Sequence, residues 1–205
     1  MDLLVPYYEH PVIRPAEWDA LIAAAPRLYG VIVNPASGAG AFLDPAFAEV
    51  AGRLRMAGVR VLGYADTDYG RRPHADVVTD LLRHRDWYGA DGAFLDQAAA
   101  GPELIPYYRR LRVAARAAGA ATVVLNHGTP PDPGYAAAAD LLVTFEGSWE
   151  TYRSLGLPDR PAEDHHCHLV YAAPSHARLA TRVRCAVPAG GAHPWAALPH
   201  DLERP

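Results

Sequence analysis

The amino-acid sequence predicts an α/β fold of the (β/α)8 TIM-type barrel class. Short apolar runs of strand length alternate with longer segments of helical periodicity, and Gly, Pro and Asp punctuate the junctions between them. The apolar runs are rich in Val, Leu and Ile, which is typical of parallel strands that are buried on both faces. The first four runs begin about 30 residues apart, which is the length of one strand and its crossover helix.

These patterns predict seven strands, at residues 3–8, 29–34, 60–65, 92–96, 122–126, 141–146 and 168–172, and helices at residues 15–25, 45–57, 74–84 and 103–118. An open doubly wound sheet is the alternative, but PYYEHP follows the first strand where such a sheet carries a glycine-rich phosphate loop. The glycines of NPASGAG, residues 34–40, favour a flexible loop over a phosphate cradle. No convincing strand follows Ala186, so we expect the last strand of the barrel to be degenerate or missing.

Length and composition predict one barrel domain over residues 1–205, without nucleic acid or a membrane as partner. The net charge is −4 and no long basic run occurs, whereas phosphate binding requires clustered cations. No apolar run reaches the length of a membrane span. All 19 residues of the Lys and Arg total are arginine, which excludes Schiff-base catalysis and a lysine general base. Because the first residues show no signal-peptide pattern, we expect a cytoplasmic protein, or an extracellular one if a signal has been removed.

The polar residues at the predicted strand ends indicate a carbohydrate-active site, because chemistry in a parallel barrel collects at the carboxyl ends of the strands. Side chains alternate along a strand, so Asp96 and Glu146 are both expected to point into the barrel mouth. A glycosidase needs at least two carboxylates on opposite sides of a sugar-sized cleft, and we predict Asp96 and Glu146 as this catalytic pair. The predicted substrate-binding residues are Tyr7, Glu9, Asn34, Tyr64, Asp66, Gln97, Asn126 and His127, and the rim aromatics Tyr8, Tyr69 and Trp149 are further candidates for stacking on sugar rings.

Each of these residues also has a purely structural interpretation. An aspartate at a strand end, such as Asp96, often caps the following turn, and Glu146 is equally compatible with a solvated strand end. Asn126 and His127 are also suited to satisfying loop backbone. The segment EDHHCHL, residues 163–169, contains metal-ligand residue types, but its spacing matches no zinc motif, so we predict neither a metal nor another cofactor.

Six motifs in order resemble a known family. They are LLVPYYEHP, VIVNPASGAG, VLGYADTDYG, DGAFLDQ, VVLNHGT and LLVTFEGSW, and the resemblance as a whole covers the chain from residue 3 to about residue 174. Together they resemble the spherulation-specific family 4, which includes the glycoside hydrolases of family 135. The resemblance implies a (β/α)8 barrel and endo-acting hydrolysis of α-1,4-linked galactosamine or N-acetylgalactosamine polymers. The C-terminal HPWAALPHDL also resembles a segment of this family.

One position departs from the family pattern. The family carries an Asp-Glu pair after the fourth strand and a third acid at the end of the sixth; here these positions are Asp96, Gln97 and Glu146. Glutamine cannot donate a catalytic proton or attack as a carboxylate. The resemblance therefore leaves three functions open. The first is hydrolysis with Glu146 as acid/base and Asp96 as nucleophile or electrostatic stabiliser, or with these two roles reversed. The others are carbohydrate binding without catalysis and small-molecule metabolism on the same fold.

Overall fold

The computed structural model describes residues 2–156 and 164–202, which form a closed barrel of eight parallel strands in chain order. The predicted fold class is confirmed. The strands are β1 (Asp2–Pro6), β2 (Leu28–Val33), β3 (Val61–Asp66), β4 (Gly92–Asp96), β5 (Thr122–Asn126), β6 (Leu141–Ser148), β7 (His166–Tyr171) and β8 (Val183–Ala186). The α-helices among the described residues are α1 (Pro15–Ala23), α2 (Pro45–Met56), α3 (His74–Tyr88), α4 (Ile105–Ala117) and α5 (Trp149–Ser154).

The eighth strand is present and short. Only four residues long, it ends at Ala186 rather than following it, and it pairs with β7 on one side and with β1 on the other. Val183 and Cys185 face the barrel interior, whereas Arg184 lies on the other face and is partly exposed. Two inward side chains are too weak a pattern to indicate a strand from sequence, yet the pairing on both sides closes the barrel.

The core consists of two layers, one inside the barrel and one between the strands and the helices. Leu4, Ile32 and Phe94 belong to the inner layer, where side chains from successive strands fill the barrel. Alternate residues such as Val5 belong to the outer layer, where Trp18 of α1 packs against the strands. The same alternation decides which side chains at the carboxyl ends reach the mouth of the barrel.

Strand β6 interrupts this alternation with a bulge. Its residues Leu141 and Val143 face the interior, so a regular strand would turn Phe145 inward and Glu146 outward. The pairing with β7 shifts between Val143 and Phe145, which adds one residue, Thr144, to β6. Phe145 consequently packs in the outer layer, and Glu146 turns toward the mouth.

The chain that follows β8 covers the side of the barrel next to β1. Residues 187–202 contain no α-helix. At the mouth, the carbonyl of Trp195 accepts a hydrogen bond from the backbone N–H of Tyr8, and farther along Leu198 and Leu202 pack into the outer layer beside β1. None of the helices in the described part of the chain combines the length and apolar character needed to cross a bilayer.

Candidate active site at the barrel mouth

Asp96 ends β4 at the mouth, where side chains from both neighbouring strands bind it. The hydroxyl of Tyr64, from β3, donates a hydrogen bond to Oδ2 at 2.7 Å, and the side-chain amide of Asn126, from β5, donates to Oδ1 at 2.6 Å. The backbone N–H of Gln97 also bonds to this carboxylate. Three donors from three successive strand ends therefore fix the orientation of Asp96.

Glu146, turned inward by the bulge, shares one of these donors. Nδ2 of Asn126 donates to Oε2 of Glu146 at 2.5 Å, and the indole N–H of Trp195 donates to Oε1 at 3.2 Å. Asn126 is itself fixed, because its Oδ1 accepts a hydrogen bond from the backbone N–H of Gly128 at 3.1 Å. One buried amide thus holds both carboxylates.

The two carboxylates are close enough to work on one bond. Since both oxygens bond to the same nitrogen, at 2.6 and 2.5 Å, they are at most about 5 Å apart, which is closer to the roughly 5–5.5 Å spacing of retaining glycosidases than to the roughly 6.5–9.5 Å of inverting ones. Within the described residues, neither Asp96 nor Glu146 forms an ion pair with an arginine. Burial raises the pKa of both carboxyls; the hydrogen-bond donors oppose the rise, while Asp66 adds to it for Asp96 and Asp96 adds to it for Glu146.

Gln97 reaches the mouth because the chain turns immediately after β4. Its φ of 48° is left-handed, so its side chain does not continue the outward alternation of the strand. Its amide nitrogen lies 3.5 Å from Oδ2 of Asp66, the residue that pairs with Asp96 across β3 and β4. The mouth therefore presents Asp66, Asp96 and Gln97 side by side.

Buried hydrogen bonds hold this turn in place. The hydroxyl of Thr67 lies 2.9 Å from the carbonyl oxygens of Asp96 and Gln97 and from the hydroxyl of Tyr108. The N–H of Tyr69 donates to the carbonyl of Gln97 at 2.7 Å, although Tyr69 itself has a left-handed φ of 53°. Strained backbone of this kind is retained where the surroundings over-determine it, as they do here.

Two of the predicted binding residues lie behind the mouth. Tyr7 is fully buried in the outer layer, where its ring packs edge-to-face on Trp18 at 5.2 Å between centroids. Strand alternation places its neighbour Tyr8, not Tyr7, on the inner face, so the structure does not bring Tyr7 to the mouth. Tyr8 packs edge-to-face on Tyr64 at 6.1 Å, and both carboxylates raise the pKa of its hydroxyl beyond the effect of burial.

His127 also faces away from the mouth, for the same reason: it follows the inward-facing Asn126. Its Nδ1 bonds to the carbonyl of Ala99 at 2.8 Å, and its ring packs edge-to-face on Tyr135 at 4.7 Å. Burial lowers the pKa of His127 to about 4. His127 is therefore a neutral residue of the outer layer, and the structure does not bring it to the mouth.

The other predicted residues lie in the loops that follow the strands. Oδ1 of Asn34 accepts a hydrogen bond from the N–H of Gly38 at 2.7 Å and so shapes its own loop. Glu9 is partly exposed, 3.9 Å from the guanidinium of Arg14. The ring of Tyr69 is half exposed beside Gln97, whereas Trp149 stacks on Tyr152 in the outer layer.

Sequence reasoning missed three residues of this site: Thr67, Tyr8 as an inward-facing side chain, and Trp195 as a partner of Glu146. Trp195 belongs to the HPWAALPHDL segment, whose family resemblance was the one available signal for it. No local pattern indicates that this segment returns to the mouth.

The histidine-rich segment does not complete a metal site at the mouth. Nδ1 of His168 bonds to the hydroxyl of Tyr152 at 3.0 Å in the outer layer, away from Asp96. Glu163, the first residue of that segment, lies outside the described residues. Over residues 2–156 and 164–202, no group of three or more His, Cys, Asp and Glu side chains is arranged to hold a metal ion.

Comparisons with known proteins agree with the barrel fold and with the family resemblance. The model of the spherulation-specific family 4 matches residues 2–190. Spherulin-4 of Physarum polycephalum is 37% identical over 149 residues, which are 70% of this chain and 44% of that protein, so the chain spans less than half the length of this relative.

Two solved structures have the same barrel fold. Sph3 of Aspergillus clavatus, crystallised in complex with GalNAc, superposes with a TM-score of 0.83 at 20% identity, over 98% of this chain and 94% of that one. The spore cortex-lytic enzyme SleL of Bacillus cereus superposes with a TM-score of 0.55 at 11% identity, over 82% of this chain and 49% of that one. At these identities the likeness shows the fold alone.

Proposed function

Because the chain belongs to the spherulation-specific family 4, we propose that it is a glycoside hydrolase that cleaves an α-1,4-linked galactosamine or N-acetylgalactosamine glycan. The observation that carries the proposal is the pair of partly buried carboxylates, Asp96 and Glu146, which share one amide donor at the mouth. The GalNAc complex of the structurally similar Sph3 supports the choice of sugar. The substrate is a carbohydrate, and no cofactor enters the reaction.

The hydrogen bonds suggest which carboxyl is the acid. Asp96 accepts three donors, those of Tyr64, Asn126 and Gln97, whereas Glu146 accepts two. Each donor favours the ionised form, so Asp96 loses its proton first, and its charge then raises the pKa of Glu146. Because the two sites interact strongly, they titrate as a pair, with the shared proton residing mainly on Glu146.

The spacing favours a double displacement with retention of configuration. In the first step Glu146 gives its proton to the glycosidic oxygen while Asp96 attacks the anomeric carbon, which breaks the glycosidic bond and forms a glycosyl-aspartate ester. In the second step Glu146, now ionised, takes a proton from water as that water attacks the anomeric carbon. The sugar is released, Asp96 regains its charge and Glu146 regains its proton.

The neighbouring side chains orient the pair and the sugar. Burial and the nearby carboxylates raise the pKa of Tyr64, so this hydroxyl stays protonated and continues to donate to Asp96. Both carboxylates raise the pKa of Tyr8, so its hydroxyl is near enough to them to bind the same sugar. Asp66 and Gln97 line the adjoining part of the mouth and are suited to bind the hydroxyl or amino groups of the same sugar.

A carbohydrate-binding barrel without catalysis is the second candidate. The observation that favours it is the neutral Gln97, which occupies the mouth beside Asp66 at the position where the family carries an acid. Hydrolysis remains our first proposal because Asp96 and Glu146 meet the distance requirement without a third carboxylate.

Incubation with defined oligosaccharides separates the two candidates. Purified protein is mixed with α-1,4-linked oligomers of galactosamine and of N-acetylgalactosamine, and products are measured by mass spectrometry. Hydrolysis predicts shortened oligomers from the wild type and none from Glu146→Gln. Binding of the oligomers without shortening, measured by calorimetry, would support the second candidate, and neither binding nor cleavage would contradict both.

A further inference from the structure

Trp195 joins three strand ends at the mouth through a segment that belongs to no strand. It lies in the short 3-10 turn Pro194–Ala196 after β8 and is almost fully buried. Its carbonyl accepts a hydrogen bond from the N–H of Tyr8 at 3.1 Å, its ring packs edge-to-face on Tyr171 of β7, and its indole N–H donates to Oε1 of Glu146. Through its backbone carbonyl and its side chain, this one residue therefore connects the ends of β1, β6 and β7.

We propose that Trp195 is a positioning residue for the reaction: it holds Oε1 of Glu146 so that Oε2 faces Asp96 and the bond to be broken. The inference rests on the proposed function and deepens it. Asn126 already holds Oε2. With a second donor on Oε1, the carboxyl cannot rotate about its terminal bond without losing a hydrogen bond.

The indole also balances the proton affinity of Glu146. Burial and the charge of Asp96 raise the pKa of this carboxyl, and the indole N–H, which can only donate, lowers it. The other titratable groups that face Glu146 are Tyr8, Tyr64 and Cys167, and burial raises the pKa of all three. They stay protonated near neutral pH, so the pKa of Glu146 is adjusted there by the Asn126 amide, the charge of Asp96 and the Trp195 indole.

The first test uses the unaltered protein and does not depend on activity. Two-dimensional NMR follows the four indole N–H resonances through a pH titration, with assignments from single Trp→Phe variants. The Trp195 signal should move with the titration of Glu146 and should stop moving in Glu146→Gln. The indole of Trp18 donates to the backbone carbonyl of Glu9 and should not follow that titration, so it is the internal control.

The second test removes the donor and keeps an aromatic ring. In Trp195→Phe the ionised Glu146 loses a charge-assisted hydrogen bond, so its pKa should rise by about one unit. The alkaline limb of the pH–rate profile should shift to higher pH by the same amount as this pKa. At the same time kcat should fall about tenfold and KM should change little. Trp87→Phe is the matched control, because Trp87 lies under Arg83 on α3, away from the carboxylates.

Two results would overturn the inference. The first is a Trp195 indole signal that does not shift as Glu146 titrates. The second is a Trp195→Phe variant whose pH–rate profile has its alkaline limb at the same pH as that of the wild type. If Trp195→Phe does not fold, its indole signal is assigned by elimination from the other three variants, and the first test still decides. If the wild type cleaves no glycan, the proposed function fails, and the NMR titration separately shows whether Trp195 holds Glu146.

Discussion

Asp96 and Glu146 accept hydrogen bonds from a single nitrogen, Nδ2 of Asn126, although they stand on strands separated by β5. Asn126 is the strand-end residue of that intervening β5, so it meets one carboxylate on each side. A change in either carboxyl therefore alters the electrostatics of the other, which shapes the predictions below.

Asp96→Asn should abolish most glycan cleavage. The substitution keeps the shape of the side chain and removes the charge that attacks or stabilises the anomeric carbon, so we expect kcat/KM to fall by at least about 10³-fold. Kinetic measurement on an oligosaccharide that the wild type cleaves checks this. Full activity in Asp96→Asn would contradict the assignment of the pair.

Gln97 should matter little for the chemistry itself. Gln97→Ala removes a 3.5 Å contact to Asp66 and should change kcat/KM by less than about tenfold. Gln97→Glu adds a carboxylate beside Asp66 and Asp96, so the pKa of Asp96 should rise. The acidic limb of the pH–rate profile should therefore shift to higher pH. If an inert wild type instead gains about 10²- to 10⁴-fold activity in Gln97→Glu, glutamine has replaced a required acid.

Three tyrosine-to-phenylalanine variants distinguish the mouth from the layer behind it. Tyr64→Phe removes a hydrogen-bond donor to Asp96, so kcat should fall about tenfold and the acidic limb of the pH–rate profile should shift to higher pH. Tyr8→Phe should raise KM, because we propose that the hydroxyl of Tyr8 binds the sugar. Tyr7→Phe should leave activity unchanged, because the hydroxyl of Tyr7 is buried without a hydrogen-bond partner. Loss of activity in Tyr7→Phe would indicate a different arrangement of β1.

The carboxylates of Asp96 and Glu146 should make the protein less stable as the pH rises. The folded-state pKa of Asp96 and of Glu146 is raised, so the folded state binds more protons than the unfolded state, and stability falls as the pH passes through the raised values. Glu146→Gln should therefore raise the Tm near pH 7, by about 2–4 °C for each kcal/mol gained. Thermal unfolding monitored from pH 4 to 8 tests this, and the gain should shrink toward pH 4.

The mouth should prefer cationic sugars. Asp66, Asp96 and Glu146 lie close together there, so deacetylated galactosamine oligomers should bind more tightly than uronic acid oligomers, and added salt should weaken the preference. Calorimetric titration at low and high ionic strength measures both effects. Tighter binding of the uronic acid oligomer would refute this prediction.

The sequence by itself determined the barrel, its first seven strands and the inward direction of Asp96. Strand identity is local information, because a fully buried parallel strand must be apolar along its length. Phe94 and Asp96 share a face of β4 by simple alternation, and Tyr64 and Asp66 share a face of β3 in the same way. Where the strand is regular, a side chain's direction follows from counting residues.

Only the tertiary structure decided what happens where regularity ends. Thr144 bulges out of β6 and turns Glu146 inward, and Gln97 enters the mouth through a left-handed turn held by Thr67. Trp195 reaches Glu146 from a segment 49 residues away in the chain. Bulges, left-handed turns and long-range hydrogen bonds are stabilised by contacts with distant parts of the chain. For that physical reason no local pattern in the sequence encodes them.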